Sequence, residues 1–440
     1  MKNILKYSIT YIFIVIIFLS ALLLVSFIPN DLIKDNTKKS ALTMIKEGET
    51  MSFKSLFRTV FEHNSTDAIM LNLSYTIDEE NKLESVIKAR RNYVPGVTKN
   101  VEKDIIGNLP HEYEKFLMTQ ELLNTLNGNE QTSYEYTRYW HGYIAIFRIL
   151  LIFFDITAIR WILQIALIIF IGILAYYLRK NSKSKIALSV IIAFIATDIF
   201  VWFRTLQGML VMIVAVLISI FIANKKINSK NINFWLFISG ALTAYFDFLT
   251  TPLVSILLPM MIYTAVNHDE TTLKNEIIRI IKNCIAWGIG YLGVWATKWL
   301  IADILYNMEI IKTSVWQIIY RMGGAREEKI ENLALYSLMR NLLLAMNFVV
   351  IGIYAFVYIY GMAKVGSYKK GYFFSSEKLT YYFCYIIPIL WFIIISDHSS
   401  QHFFFTYKNV LISHLALLLI VLDDRNGKYI IEKGNKKWLI

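Results

Sequence analysis

The chain has 440 residues, of which 56% are hydrophobic, 15% aromatic and 18% charged, with a formal net charge of +12. That charge fraction, together with long uncharged apolar blocks, excludes an ordinary soluble domain, whose apolar residues come as stripes. Nor does the positive charge signal nucleic acid: residues 29–141 carry 14 Lys/Arg against 17 Asp/Glu, so the excess lies elsewhere, mostly in short polar gaps between apolar blocks, where membrane topology signals sit.

The first block, residues 7–28 behind Lys2 and Lys6, is too long for a cleaved signal core and ends in Phe27-Ile28-Pro29. Residues 1–28 therefore read as an uncleaved first transmembrane helix. Runs of roughly 17–25 apolar residues match what a helix needs to cross about 30 Å of hydrocarbon. They lack the in–out alternation of a barrel strand. The expected class is an all-α polytopic membrane protein with about ten spanning helices, the others near 157–178, 186–203, 207–224, 232–248, 252–266, 284–304, 342–362, 380–396 and 410–423. Cys284 and Cys384 lie inside these blocks and point to neither a disulfide framework nor a metal site.

Residues 29–141 are too long for a connector and are expected to fold as a loop domain of their own. Their second half, Val101 to Leu126, has helix-like spacing through Ile105, Phe116, Leu117, Leu122 and Leu123. Residues 143–155 are apolar but interrupted by Arg148, which predicts an interfacial helix at headgroup depth before the second span. The remaining body, 142–423, carries an amphipathic stretch at 269–283, expected to lie on the inner leaflet, and a second outer loop at about 305–341. The short gaps at 179–185, 225–230 and 364–378 and the tail 424–440 are rich in Lys/Arg, and the alternate gaps are poor. By that bias the protein sits in the cell membrane with both termini cytoplasmic and the 29–141 loop outside.

On this outer face polar residues gather, and charges near hydrocarbon line cavities or pair with one another. Asp67, in His63-Asn64-Ser65-Thr66-Asp67 before an apolar stretch, reads either as a general base or as part of a helix N-terminus. Arg138-Tyr139-Trp140-His141-Gly142-Tyr143 reads as an aromatic belt or as a sugar- and phosphate-binding group. Arg148, Arg204, Lys298 and Lys408 read as phosphate-attracting cations or as snorkelling side chains. His398 and His402, four apart, could share a divalent metal. No HExxH pattern or evident further ligand accompanies them, so no cofactor is assigned and hydrogen bonding to substrate is the expectation. Asp247 reads as a turn residue. No P-loop, Rossmann fingerprint or nucleophile elbow stands out.

This layout resembles the GT-C superfamily of membrane glycosyltransferases: a first helix, a large extracytoplasmic loop with an acidic residue (Asp67), an interfacial helix and a many-helix body. The stretches RYWHGY (138–143), FDFLTTP (246–252) and DHSSQHFFFTYK (397–408) look like those of membrane proteins of this type in Gram-positive bacteria. The resemblance implies transfer of a sugar from a polyprenyl-phosphate donor to an envelope glycan, lipid or protein. Asp67 would be the base. Arg138, Arg204 and Lys298 would hold the departing phosphate, and Trp140, His141, His398 and His402 the sugar. The competing class is a transporter, flippase or polymerase-like protein for lipid-linked glycans.

Overall fold

An apolar chain in a bilayer must satisfy every backbone amide internally, so its crossing segments become helices. In the computed structural model the described residues are 2–423, apart from 56–58, 94–97, 104–109, 116, 129–131, 225–230, 268–271, 324–329 and 368–374. The expected tail at 424–440 lies outside them. The chain opens with helix α1 (Lys2–Ser26) and enters the loop domain through α2 (Asn30–Glu47). Strands β1 (Thr50–Lys54) and β2 (Thr59–His63) follow, then α3 (Ser65–Tyr75), α4 (Lys82–Lys88), β3 (Arg90–Tyr93), β4 (Thr98–Lys103), β5 (Pro110–Lys115), α5 (Met118–Leu126) and β6 (Thr132–Glu135).

The loop domain is not all helical. Its strands form three two-stranded antiparallel ladders, β1–β2, β3–β6 and β4–β5. The expected helical stretch from Val101 is strand first, with Val101 opposite Glu112, and becomes helix only in α5. In the sequence Val101 and Tyr113 each stand between polar neighbours, a period of two that suits a strand. Ile105 and Phe116 lie outside the described residues.

The body begins with α6 (Ile144–Phe153), a short apolar helix separate from the next one, as expected for residues 143–155. It continues with α7 (Ile156–Lys180), α8 (Ser184–Ala196), a 3₁₀ turn (Ile199–Arg204), α9 (Met209–Ala223), α10 (Ile232–Phe246), α11 (Val254–Val266) and α12 (Leu273–Tyr306). After α13 (Ile310–Arg321) and α14 (Leu333–Ala345) come α15 (Phe348–Ser367), α16 (Leu379–Ile394), the short α17 (Ser396–Gln401) and α18 (Phe403–Thr406), and α19 (Val410–Leu422).

A helix stands at each of the ten expected span positions, yet length separates them. Among the described residues four are long and apolar enough to cross a membrane: Leu5–Ser26, Ile156–Lys180, Leu273–Tyr306 and Phe403–Leu422. A fifth arises if α14 and α15, bent by 94°, are counted as one. The 13 residues of α8 or of α11 reach only about 20 Å. The amphipathic stretch at 269–283 is not a separate helix from Leu273 onward, because α12 runs unbroken for 34 residues; no Pro or Gly stands between Leu273 and Trp287 to interrupt it.

The centre of the bundle is α9, α11 and α19. Every residue of α11 is buried, as expected of a helix that is apolar all round. The closest helix contact is α10 on α12. A Cβ on Gly240 would lie 2.2 Å from the Trp287 carbonyl oxygen, and one on Gly290 would lie 2.1 Å from that of Phe237. Small residues permit such backbone approach where lipid offers no hydrophobic drive for association.

Candidate functional site at the joint of loop and bundle

The loop domain is joined to the bundle through buried charges. Asp67 lies in the first turn of α3, where a carboxylate complements the helix dipole, and it is fully buried. Its Oδ2 accepts from Arg160 Nε (3.0 Å) and Nη2 (2.8 Å), and both carboxylate oxygens accept from the Leu206 amide at 2.9 and 3.0 Å. Arg160, from the first turns of α7, also donates to Glu47 Oε2 (3.0 Å) and Asn64 Oδ1 (2.7 Å). Burial raises the Asp67 carboxyl above its ordinary value, against the opposing pull of Arg160. A carboxylate so occupied is a fastening. Of the two sequence readings, the helix N-terminus describes its position, and a proton-accepting role would require Arg160 to withdraw.

A second carboxylate stands nearby. Glu62, in β2, is also fully buried, and its Oε1 lies 2.9 Å from Lys408 Nζ. Its Oε2 accepts from Thr205 Oγ1 (3.2 Å) and, at 3.5 Å, from Gln207 Nε2. Burial again pushes this carboxyl up, with Lys408 pulling it down. Here the polar set is less complete: among the described residues Gln207 Oε1 and Thr251 Oγ1 are buried with no hydrogen-bond partner. Thr251 lies against the residue next to Gln207, since a Cβ on Gly208 would lie 3.0 Å from Thr251 Oγ1. Orphaned buried polar atoms mark strain or a place where another polar group binds.

Arg204 completes this corner. Its guanidinium is held between the rings of Phe53, in β1, and Phe203, 4.5 and 4.6 Å from their centroids. It is half-buried, and among the described residues it has no hydrogen bond or ion pair. A guanidinium pre-oriented by stacking, with its N–H groups free, is suited to a phosphate.

The other charges and rings fall elsewhere. Arg148 is fully buried and donates to carbonyls of Val25 (3.0 Å), Ile28 and Ser74 and to Asn30 Oδ1 (3.0 Å). It closes the C-terminal ends of α1 and α3, so its guanidinium is taken up by protein and not turned to a substrate. Lys298 Nζ donates to the Val86 carbonyl in the last turn of α4 (3.0 Å) and lies over the Trp140 ring at 5.6 Å. Trp140 itself donates to the Val294 carbonyl (2.7 Å). These three tie loop to bundle.

A chain of aromatic and histidine side chains runs along the same joint. His141, at a left-handed φ of 56°, donates from Nε2 to the Tyr136 carbonyl (2.7 Å), which leaves Nδ1 to accept from the Tyr143 hydroxyl (2.9 Å). Burial pushes it down to about 3, so it is neutral. His398 is likewise used up, donating to the Leu249 carbonyl (2.8 Å) and accepting from Arg321 (2.5 Å). Arg321 also donates to the Tyr139 hydroxyl (3.0 Å). His402 stacks on Phe405, with ring centroids 5.2 Å apart. It has no side-chain hydrogen bond among the described residues, and burial pushes it down to about 3. The His398 and His402 rings are 4.7 Å apart, and among the described residues no group of three or more His, Cys, Asp or Glu could hold a metal. Arg138 lies half-buried, 5.6 Å from the Tyr136 ring centroid. Asp247 does hold a turn, accepting from the Thr250 amide at 2.9 Å.

Of the residues singled out in the sequence, Asp67, Arg204, His402 and Lys408 thus stand around β1, β2 and the 199–208 segment, linked there by Glu62 and by His63, whose ring lies tilted against Phe404 at 4.0 Å. Arg138, Trp140, His141, Lys298 and His398 form the neighbouring aromatic joint, and Arg148 stands apart. Sequence reasoning missed Glu62, Arg160 and Arg321. Arg160 carried a usable signal, being a charge inside an expected span. Glu62 and Arg321 had none, because each lies in a segment read as outer loop, where a single charge is ordinary.

The fold and the joint together define a mostly helical protein with several apolar helices of membrane-crossing length, as in multi-pass membrane proteins, and a mixed domain after the first helix. Set against family models, curated proteins and solved structures, the chain matches none.

Proposed function

We propose that the protein is a GT-C-like glycosyltransferase that moves a sugar from a polyprenyl-phosphate donor to an envelope acceptor at the loop-bearing face of the membrane. The observation that carries this is a half-buried guanidinium, Arg204, with no hydrogen bond or ion pair among the described residues, next in the chain to Thr205, which donates to a buried carboxylate of raised proton affinity, Glu62, in the loop domain. Lys408 turns from Glu62 to the phosphate, the acceptor hydroxyl oxygen attacks the anomeric carbon and its proton passes to the carboxylate so freed. The bond from that carbon to the phosphate oxygen breaks, and its electron pair leaves with the lipid phosphate, whose growing charge Arg204 and Lys408 offset. Gln207 and Thr251 offer a sugar polar atoms that have no partner among the described residues, and His402 an imidazole with no side-chain hydrogen bond among them. Asp67 keeps the loop seated through Arg160 and does not take the proton.

The test is purified protein with radiolabelled polyprenyl-phosphate sugars. Glu62→Gln should lower the transfer rate by roughly 10²–10⁴-fold, and Arg204→Met should lower kcat/KM while Arg204→Lys keeps part of it. Unchanged transfer by Glu62→Gln would remove it as base. A second reading, movement of a lipid-linked glycan across the bilayer, is favoured by one feature. Between α8 and α9 the chain breaks at Asp198 (φ 61°) into the 3₁₀ turn, and transporters often place sites at broken helices. No transfer with any donor, alongside flux of a fluorescent lipid-linked glycan into vesicles, would select it.

A further inference from the structure

Helices α13 and α14 stand outside the site just described, and their exposed faces are unusual. On α14 the exposed residues Leu335, Met339, Leu343 and Met346 are 45–56% accessible and share one face. The inward side is mixed: Ser337, Asn341 and Ala345 are buried, and Leu338 and Leu342 pack partly buried against the cluster of Phe392, Tyr407 and Val410. On α13, Trp316 and Ile319 are 51% and 50% accessible. A continuous apolar face turned outward, with Ser337 and Asn341 turned inward, is not what water selects.

The geometry decides what covers that face. The helix α15 presents Phe348, Ile351 and Ile359 outward at 57–77% accessibility, as a lipid-facing helix does, and α14 meets it at 94°. The corner is held chemically. Asn347 Oδ1 accepts from the Val350 amide (3.0 Å), capping α15, and its Nδ2 donates to the Ala196 carbonyl (2.7 Å) at the end of α8. At 13 residues, α14 is about 20 Å long, too short to cross.

We propose that α13 and α14 form an elbow lying flat in the outer lipid interface, with the apolar face of α14 sunk among acyl chains and α15 turning down from it as a crossing helix. The covering partner is the bilayer itself. The exposed apolar surface is continuous around the corner from Leu343 through Met346 to Phe348, and a charged headgroup layer suits Lys312, whose side chain is 81% exposed. On its inner side the elbow grips the segment that carries His398 and His402. Arg321 reaches His398, Arg340 donates to the Ser400 carbonyl (3.1 Å), and Asn341 donates to that of Ser399 (2.8 Å). Interfacial lipid and the histidine segment are thereby mechanically joined.

Depth measurement tests this independently of any activity. Single cysteines at Leu335, Met339 and Leu343, and at Ile351, Ala355 and Ile359, are placed in the full chain lacking Cys284 and Cys384. Each is labelled with bimane, and the protein is reconstituted into phosphatidylethanolamine–phosphatidylglycerol vesicles carrying nitroxide lipids at two depths. Gel-filtration elution like that of the parent chain selects folded samples. The three α14 labels should report one shallow depth, whereas the α15 labels should deepen by about 6 Å per four residues. A depth gradient along α14 like that along α15 would overturn the proposal in favour of a crossing or re-entrant segment. Labels on α14 that no lipid nitroxide quenches would overturn it in favour of a water-facing surface.

Discussion

Replacing Arg160 by Met probes whether the joint rests on charge pairing. The change removes both hydrogen bonds to Asp67 and those to Glu47 and Asn64. Glu47 is 24% exposed on its side chain, so water takes over there and the loss is small. Asp67 is fully buried and keeps only the Leu206 amide. Breaking a buried pair by removing one partner costs about 3–5 kcal/mol, which is roughly two to nearly four powers of ten in the population of the opened joint. The assay is limited proteolysis of the loop domain in detergent, run where opening is fast relative to cleavage so that the rate reads the open fraction. Arg160→Met should cleave faster by that factor at pH 8. An orphaned Asp67 escapes part of the penalty by taking a proton, so the excess should shrink as pH falls. Arg160→Met with Asp67→Asn should recover most of the resistance, because no buried charge remains. Unchanged proteolysis in the single variant, or no recovery in the double, would refute the reasoning.

Three further outcomes follow from the same structure. Burial beside Glu49 pushes Glu121, in α5, up to about 7 despite Arg91. This group therefore contributes stability below 4.5 that is lost as pH rises through about 7. Glu121→Gln should match the parent in acid and exceed it at pH 8 by an amount on the order of 2–3 kcal/mol at most, read as the pH dependence of loop proteolysis. Gly240→Ala forces α10 from α12 at a backbone contact that cannot yield. It should cost about 1–3 kcal/mol, measured as a lower thermal midpoint in detergent, with Gly172→Ala as the open-space control. Arg148→Lys keeps the charge but not the fork that reaches several carbonyls and Asn30 at once. It should destabilise by about 1–3 kcal/mol, seen as faster hydrogen exchange at the end of α3.

Much of the scaffold was legible in the sequence because hydropathy is local. Whether a run such as 156–180 seeks lipid depends on its own residues, so helices appear at the expected span positions. The short helix α6 was recognisable as a separate element from a single interruption at Arg148, and α3 from Asn64-Ser65-Thr66-Asp67 ahead of an apolar stretch. The β4–β5 hairpin was missed since a short alternating stretch among charges resembles a helix edge. The unbroken α12 was missed since a change of polarity was taken for a change of element, although nothing in the backbone chemistry required one.

The charges follow a different rule. The sequence by itself determined that a chain so apolar forms membrane-length helices and that a polar domain of some 110 residues, 29–141, interrupts them after the first. Only the tertiary structure decided that Asp67 is spoken for by Arg160, that Glu62 meets Lys408 from the far end of the chain, and that Arg204 is held between two rings with no ion pair among the described residues. Burial free energy sums over neighbours along the chain, whereas a buried charge is satisfied by whichever residue the fold brings within about 3 Å. That distance is a property of packing, and no local pattern of residues contains it.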